Sequence, residues 1–319
     1  MKKFLKIFLT IIIILIVLAG IAIFFALSKL KKINYVEIPK EEIEINTGVE
    51  ENLSGYRNIA IFGIDTRDNT YSGSRSDCII IASINHDTKE IKLVSVYRDT
   101  YLNIPGRGLD KVNHAYAYGG PALSMSALNT NLDLDITEFV TVNFTATKDI
   151  INAIGGVTLT VTDAEAESIP RISSGGTYLL DGEQALAYGR IRKIDNDYKR
   201  TERMRTVVMA VFEKAKTMSV TELNKLVDQV LPEIYTNISA TEILALIPKI
   251  YSYSIVESQG WPYETRGITL GGVWYGPPVN LEKNVIELHQ ELFGNENYTP
   301  TETVKGISNN IINKTGYNR

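Results

Sequence analysis

The chain has 319 residues, 44% of them hydrophobic and 22% charged, with a formal net charge of −4. That is enough apolar material for one sizeable domain or two small ones, and the weak negative balance excludes a general nucleic-acid binder. Its single cysteine, Cys78 in the apolar run CIIIASI, excludes an internal disulfide and leaves a fold held by its core.

From Ile7 to Leu27 the residues are apolar except for Thr10, with Gly20 the only other interruption. This run meets the ~20-residue length a helix needs to span a bilayer while satisfying its own backbone hydrogen bonds. Lys2, Lys3 and Lys6 precede it and Lys29, Lys31 and Lys32 follow it, so the positive-inside rule is nearly tied. With a very short leading tail and everything that could fold coming after the span, the remainder of the chain is expected outside the cytoplasm. A cleaved signal peptide is the competing reading, with an apolar core of ~7–15 residues and small residues before the cut. This run is longer and no A-x-A site follows it. An uncleaved signal-anchor is therefore expected over residues 1–32, with a juxtamembrane linker over 33–54.

Asn58–Ile64 (NIAIFGI) reads as a buried strand stopped by Gly63 and Asp65. Cys78–Asn85 and Ile91–Tyr97 flank His86-Asp87-Thr88-Lys89 as a hairpin would. Pro121–Leu132 reads as a helix, Phe139–Phe144 as a strand, Thr147–Ile154 as a helix stopped by Gly155-Gly156, and Val157–Val161 as a strand. Asp181–Tyr188 is a short helix. Thr201–Thr217 places Met204, Val207, Val208, Val211 and Phe212 on one helical face, and Thr221–Ile234 and Thr241–Tyr251 follow the same rule. Asn280 can cap Leu281–Phe293, and Gly294 ends it. An α/β domain over 55–294 is expected, with 295–319 as a polar, poorly ordered tail.

Charge gathers beside these elements. Asp65 follows the first strand and Arg75-Ser76-Asp77 precedes the next. Two such carboxylates, meeting over one sheet edge, suit a hard cation completed by phosphate oxygens; taken singly, each reads more simply as a turn residue. Arg98-Asp99 follows a strand, and Lys111-Val112-Asn113-His114 comes next. Arg190 and Arg192 would face one side of an extended segment, and Arg200 and Arg203 share a helix face near its start, where free N–H groups favour an anion. Arginine forks match phosphate oxygens. A solvated basic face, ion-paired to Glu202, Asp195 and Asp197, is the bland alternative.

Read in order, the clusters are GIDTR, RSD, VYRD, KVNHAY, LDGEQALAYGRIRK and DYKRTERMR. This series resembles the LytR-CpsA-Psr family of cell-wall transferases from about Asn58 to Lys216, and less sharply to NVIELHQELFG. The resemblance implies a mixed central β-sheet flanked by helices, preceded by one transmembrane helix, in the envelope of a Gram-positive bacterium. It implies transfer of a glycan-1-phosphate from a polyprenyl-pyrophosphate carrier to peptidoglycan; the polymer (teichoic acid, capsule or another wall glycan) stays open. It makes Asp65 and Asp77 ligands of Mg²⁺ or Mn²⁺, and Arg75, Arg98, Arg190, Arg192 and Arg200 diphosphate contacts. Lys111 falls at a basic motif position, Arg203 belongs to the same arginine motif, and Asp99 and Asp197 are candidate bases. Arg75 and Arg98 would also stabilise charge on the transferred group.

Two departures stand out. Tyr97 occupies a position where the family pattern has proline, and Met204 one where it has glutamine. His86 and His289 read as surface residues, and His114 has no partner at metal or triad spacing. Gly271-Gly272 and Trp274-Tyr275 read as a turn and a packed aromatic pair, the alternative being a stacking floor for a sugar. Two other functions compete with transfer: a polyprenyl-diphosphate pyrophosphatase, and a non-catalytic membrane-anchored scaffold or regulator, which would not need the metal pair.

Overall fold

The computed structural model describes residues 34–66, 71 and 73–317. The apolar run Ile7–Leu27 lies outside them; among the described residues no helix is long and apolar enough to cross a membrane. Strand β1 (Asn34–Tyr35) and a single helical turn, α1 (Val49–Asn52), lead into β2 (Tyr56–Ile64), β3 (Ser76–Asn85) and β4 (Glu90–Val96). These three pair antiparallel, β3 and β4 as the expected hairpin. Ile79 and Ile81 enter one core while Ile80 and Ala82 enter another. A two-residue side-chain period makes an unbroken apolar run a strand buried on both faces.

A small hairpin, β5 (Tyr101–Ile104) with β6 (Gly108–Lys111), precedes α2 (His114–Leu132). Gly119 and Gly120 leave helical geometry inside α2, and the helix restarts at Pro121, where a fixed φ and a missing N–H cost nothing. The helix expected from Pro121 is thus the second limb of a longer, kinked one. Then come β7 (Glu138–Asn143), α3 (Phe144–Ala153), β8 (Val157–Val161), α4 (Asp163–Ala166), β9 (Gly176–Leu180), α5 (Gly182–Gly189) and α6 (Asp197–Lys216). Asn143, Asp181 and Asn196 cap α3, α5 and α6 by accepting backbone N–H groups of the first turn. The chain continues through α7 (Val220–Val230), β10 (Tyr235–Thr236), α8 (Ala240–Leu246), β11 (Ser254–Trp261), β12 (Ile268–Leu270), β13 (Val273–Tyr275), α9 (Leu281–Phe293) and α10 (Glu302–Thr315).

The central sheet runs β1-β10-β7-β2-β3-β4-β11. β1/β10, β2/β7 and β4/β11 are parallel and the remaining pairs antiparallel, so the expected mixed sheet is present. Residues of α2, α9 and α10 form one large core with Phe62 and Phe139 of the sheet. Val208, Met209 and Phe212 of α6 pack on Ile80 and Leu93 from the other side. Helices α3 and α5 and the β8–β9 hairpin share a third core with Val207.

Two expectations need correction. The polar tail expected after Glu296 is instead α10, capped by Thr301 and burying Val304, Ile307 and Ile311. Those residues lie on one helical face, and the polar residues between them hid the stripe. Asp133, fully buried, fastens the segment by accepting from the Thr301 N–H and hydroxyl at 2.8 and 2.7 Å. His289 is not on the surface: it is buried on α9, stacked on Tyr298 at 3.6 Å, with Nε2 2.9 Å from the Leu132 carbonyl.

Candidate active site

The exit of β4, the start of β3 and the first turn of α6 meet at one end of the sheet. Asp77 occupies an irregularity in the β2/β3 ladder, between the pairs Ile64↔Ser76 and Gly63↔Cys78. Asp65 follows Ile64 directly, so the register brings both aspartates to the same sheet end. Asp65 and Arg75 are exposed there.

Asp77 is the hub. Arg98 Nη1 donates to its Oδ1 at 2.8 Å and Arg192 Nη2 to its Oδ2 at 3.4 Å. Arg200 Nη2 donates to its backbone carbonyl at 3.3 Å, and Nη1 lies 4.0 Å from Oδ2. Asp197 bridges Arg98 Nε at 3.3 Å and Arg200 Nη2 at 3.0 Å. Lys111 Nζ contacts Asp99 Oδ1 at 2.8 Å, while Asp99 Oδ2 stands 3.5 Å from Arg98 Nε. Asp77, Arg98, Asp99, Lys111, Arg192, Asp197 and Arg200 therefore form one network of four cations and three carboxylates.

The arginines are not saturated by their neighbours. Among the described residues, Arg200, whose side chain is 1% exposed, finds no hydrogen-bond partner for Nε or Nη1, and Arg98 Nε has the ion-pair contacts to Asp197 and Asp99 alone. Burial depresses the Arg200 pKa, and Asp197 works against that fall. Burial also opposes the charge on Arg98, but Asp197 and Asp77 outweigh it and hold its pKa above the ordinary value. A buried cation with unused donors, as Arg200 is, is fitted to an anion with several acceptor oxygens.

Other expected residues lie apart from this hub. Arg203 donates to Glu165 at 2.7 Å, to the Ile191 carbonyl at 3.2 Å and to Asp195. Each of its three nitrogens has a protein partner, so it braces the segment carrying Arg192, and the diphosphate role expected for it is not what the geometry displays. The Arg190 guanidinium lies over the Phe144 ring at 4.2 Å. His114 does have a partner: its Nδ1 is 2.9 Å from Asp110 Oδ2, which also accepts from Tyr118. Glu165, the partner of Arg203, carried no local signal, because the two meet only through tertiary packing.

Two cavities adjoin the network. One, of about 210 Å³, lies between the sheet and α3, α5 and α6, lined by residues such as Ile61, Val142, Ile150, Leu186, Met204 and Val211. Among the described residues Arg190 is its one charged lining residue. Cys78, next to Asp77, is in its wall, and burial pushes the thiol up to about 12. Arg200 and Met204 lie one helical turn apart on α6, so the helix presents a cation to the network and an apolar side chain to the cavity. The other cavity, of about 190 Å³, is lined by Tyr97, Asp99, Asp197, Tyr198 and Trp274, among others.

For a metal, the relevant donors are Asp65 and Asp77. Mg²⁺ needs only one or two carboxylates when phosphate oxygens and water complete its shell, so the pair fits an ion arriving with a diphosphate. Among the described residues, no group of three or more His, Cys, Asp and Glu could hold a metal unaided.

Comparison with known proteins follows the same lines. The LytR_cpsA_psr family model matches residues 22–290. The polyisoprenyl-teichoic acid–peptidoglycan teichoic acid transferase TagT of Bacillus subtilis (strain 168) is 37% identical over 224 residues, 66% of this chain and 70% of that protein. A solved structure of TagT bound to LIIa-WTA superposes with a TM-score of 0.64 at 30% identity, covering 77% of this chain and 92% of that one. Another, the LytR-CPS2A-psr family protein YwtF (TagT) with bound octaprenyl pyrophosphate lipid, superposes with a TM-score of 0.57 at 25% identity, covering 89% and 97%.

Proposed function

The chain belongs to the LytR_cpsA_psr family, and on that premise we propose that it is a phosphotransferase moving a glycopolymer from a polyprenyl-pyrophosphate carrier onto peptidoglycan. The observation that carries this reading is the buried Arg200, two of whose nitrogens find no hydrogen-bond partner among the described residues, with the half-buried Arg98 beside it and an apolar cavity next to both. A lipid diphosphate needs both features at once. That a relative has been solved with octaprenyl pyrophosphate lipid supports a prenyl diphosphate as the ligand.

The acceptor's sugar hydroxyl attacks the phosphorus that bears the glycan. A new P–O bond forms, the P–O bond to the lipid phosphate breaks, and polyprenyl phosphate leaves with the bond's electron pair. Arg98, Arg192 and Arg200 neutralise charge growing on the phosphoryl oxygens and on the leaving phosphate, where prepositioned cations act most strongly. Asp99 takes the hydroxyl proton. Asp197 holds two guanidinium groups at 3.3 and 3.0 Å, whereas among the described residues Asp99 Oδ2 has Arg98 alone, at 3.5 Å, so this oxygen of Asp99 keeps the freer lone pairs. Lys111, on the other oxygen of Asp99, holds that carboxylate in place. Asp65 and Asp77 would hold Mg²⁺ or Mn²⁺, which supplies further charge neutralisation on the diphosphate. The apolar run Ile7–Leu27 anchors the domain, outside the cytoplasm, in the bilayer that holds the donor's lipid.

Reconstitution tests this. The full chain, with lipid-diphosphate-linked glycan, peptidoglycan oligomers and Mg²⁺, should yield a phosphodiester-linked product, lost with chelator and restored by added Mg²⁺. Release of only lipid phosphate and free glycan phosphate, with a competent acceptor present, would instead establish the pyrophosphatase. No cleavage at all would establish the scaffold.

A further inference from the structure

We propose that the cavity between Trp274, Tyr97 and Tyr198 is a pyranose subsite that seats the acceptor sugar beside Asp99; this rests on the transfer reading above. Trp274 is 45% exposed, whereas the chain's other tryptophan, Trp261, is fully buried. The half-exposed indole lines the cavity, where its face is open to a ligand.

The indole is held in place. It sits on the β12–β13 hairpin, whose turn places Gly271 and Gly272 at φ +57° and +82°, a conformation glycine adopts without strain. A Cβ on Gly267 would stand 2.7 Å from Trp274 Nε1, so one edge of the indole rests against bare backbone. The Gly276 N–H donates to the Asp99 carbonyl at 2.9 Å, tying the hairpin to the residue that takes the proton.

The cavity's other aromatic residues are Tyr97 and Tyr198, their ring centroids 4.4 Å apart. The Tyr97 phenol fills the space a side chain at position 260 would need: a Cβ on Gly260 would lie 2.2 Å from its hydroxyl oxygen. Asp99 and Asp197 supply carboxylates to the same cavity. Aromatic faces for the C–H side of a sugar ring, with carboxylates for its hydroxyls, are the chemistry of carbohydrate binding. The prenyl chain has its own cavity, and a hydroxyl seated here meets the base, which only the acceptor requires.

The buried Trp261 leaves Trp274 as the fluorophore open to a soluble quencher. With the full chain in detergent, a soluble N-acetylglucosaminyl–N-acetylmuramyl oligosaccharide should cut iodide quenching by about half or more, with no such protection in Trp274→Phe. Trp274→Ala should raise the KM for that oligosaccharide about tenfold while leaving the KM for lipid-linked donor within about twofold, and Trp274→Phe should recover part of the loss. Protection by the lipid-linked donor but not by the oligosaccharide, or an unchanged acceptor KM, would overturn the assignment. Should the wild type form no phosphodiester, the transfer reading fails, while the quenching measurement still decides whether sugar binds here.

Discussion

Arg200 concentrates the trade between stability and function. Its side chain is 1% exposed, yet among the described residues two of its three nitrogens find no hydrogen-bond partner, and an incompletely satisfied buried charge weakens a fold. Arg200→Met should therefore lower transfer by about 10²-fold or more while leaving the thermal midpoint unchanged or higher; a destabilised variant would mean that Arg200 serves the fold. His289 gives a second residue-scale prediction. Burial, the largest influence on it, depresses its pKa to about 4. The unfolded chain, with an ordinary histidine, binds the proton more readily between about pH 6.5 and 4, so stability falls as pH drops through that window and levels off below it. The loss should amount to about 3 kcal/mol, read from denaturant unfolding at several pH values, and His289→Phe should remove that component of the slope. The seven residues of the charge network were legible in the sequence because each sits in a motif at a strand or helix end. Arg203 was misplaced because spacing along α6 says nothing of Glu165, and His289 because one histidine on an amphipathic helix does not announce which face it occupies.

At the scale of elements, α6 does two jobs with residues one turn apart. Arg200 joins the charge network and Met204 lines the apolar cavity. If the cavity takes the prenyl chain, Met204→Trp should raise the KM for a long-chain donor about tenfold or more and affect a short-chain donor much less; equal effects on both would move the lipid elsewhere. Helix α10 makes a stability prediction. Ile311→Ala removes a side chain that is 1% exposed and should cost about 2–4 kcal/mol in denaturant unfolding, whereas a disordered tail would show no change. Strands β2, β3 and β4 could be read directly, since apolar runs bounded by Gly, Asp and Asn leave few alternatives. The strand β11 (SIVESQGW) could not: it is an edge strand, mostly half-exposed, and its mixed polarity matches no clean period. β10 has two residues, too few for any pattern.

At the scale of the molecule, the arrangement follows the donor's own anatomy. An anchor over Ile7–Leu27 would hold the domain at the bilayer, the apolar cavity would take the prenyl chain, and the arginine network would sit where the chain meets its diphosphate. The cavity at Trp274 lies at the acidic side of that network. The most direct test follows each phosphate separately, using a donor radiolabelled at the sugar-proximal phosphate and a second labelled at the lipid-proximal one. The sugar-proximal label should appear in peptidoglycan as a phosphodiester with the wild type and not with Arg98→Ala, while the lipid-proximal label should stay with the prenyl phosphate. Lipid-proximal label in peptidoglycan, or both labels released to water with acceptor present, would contradict the account.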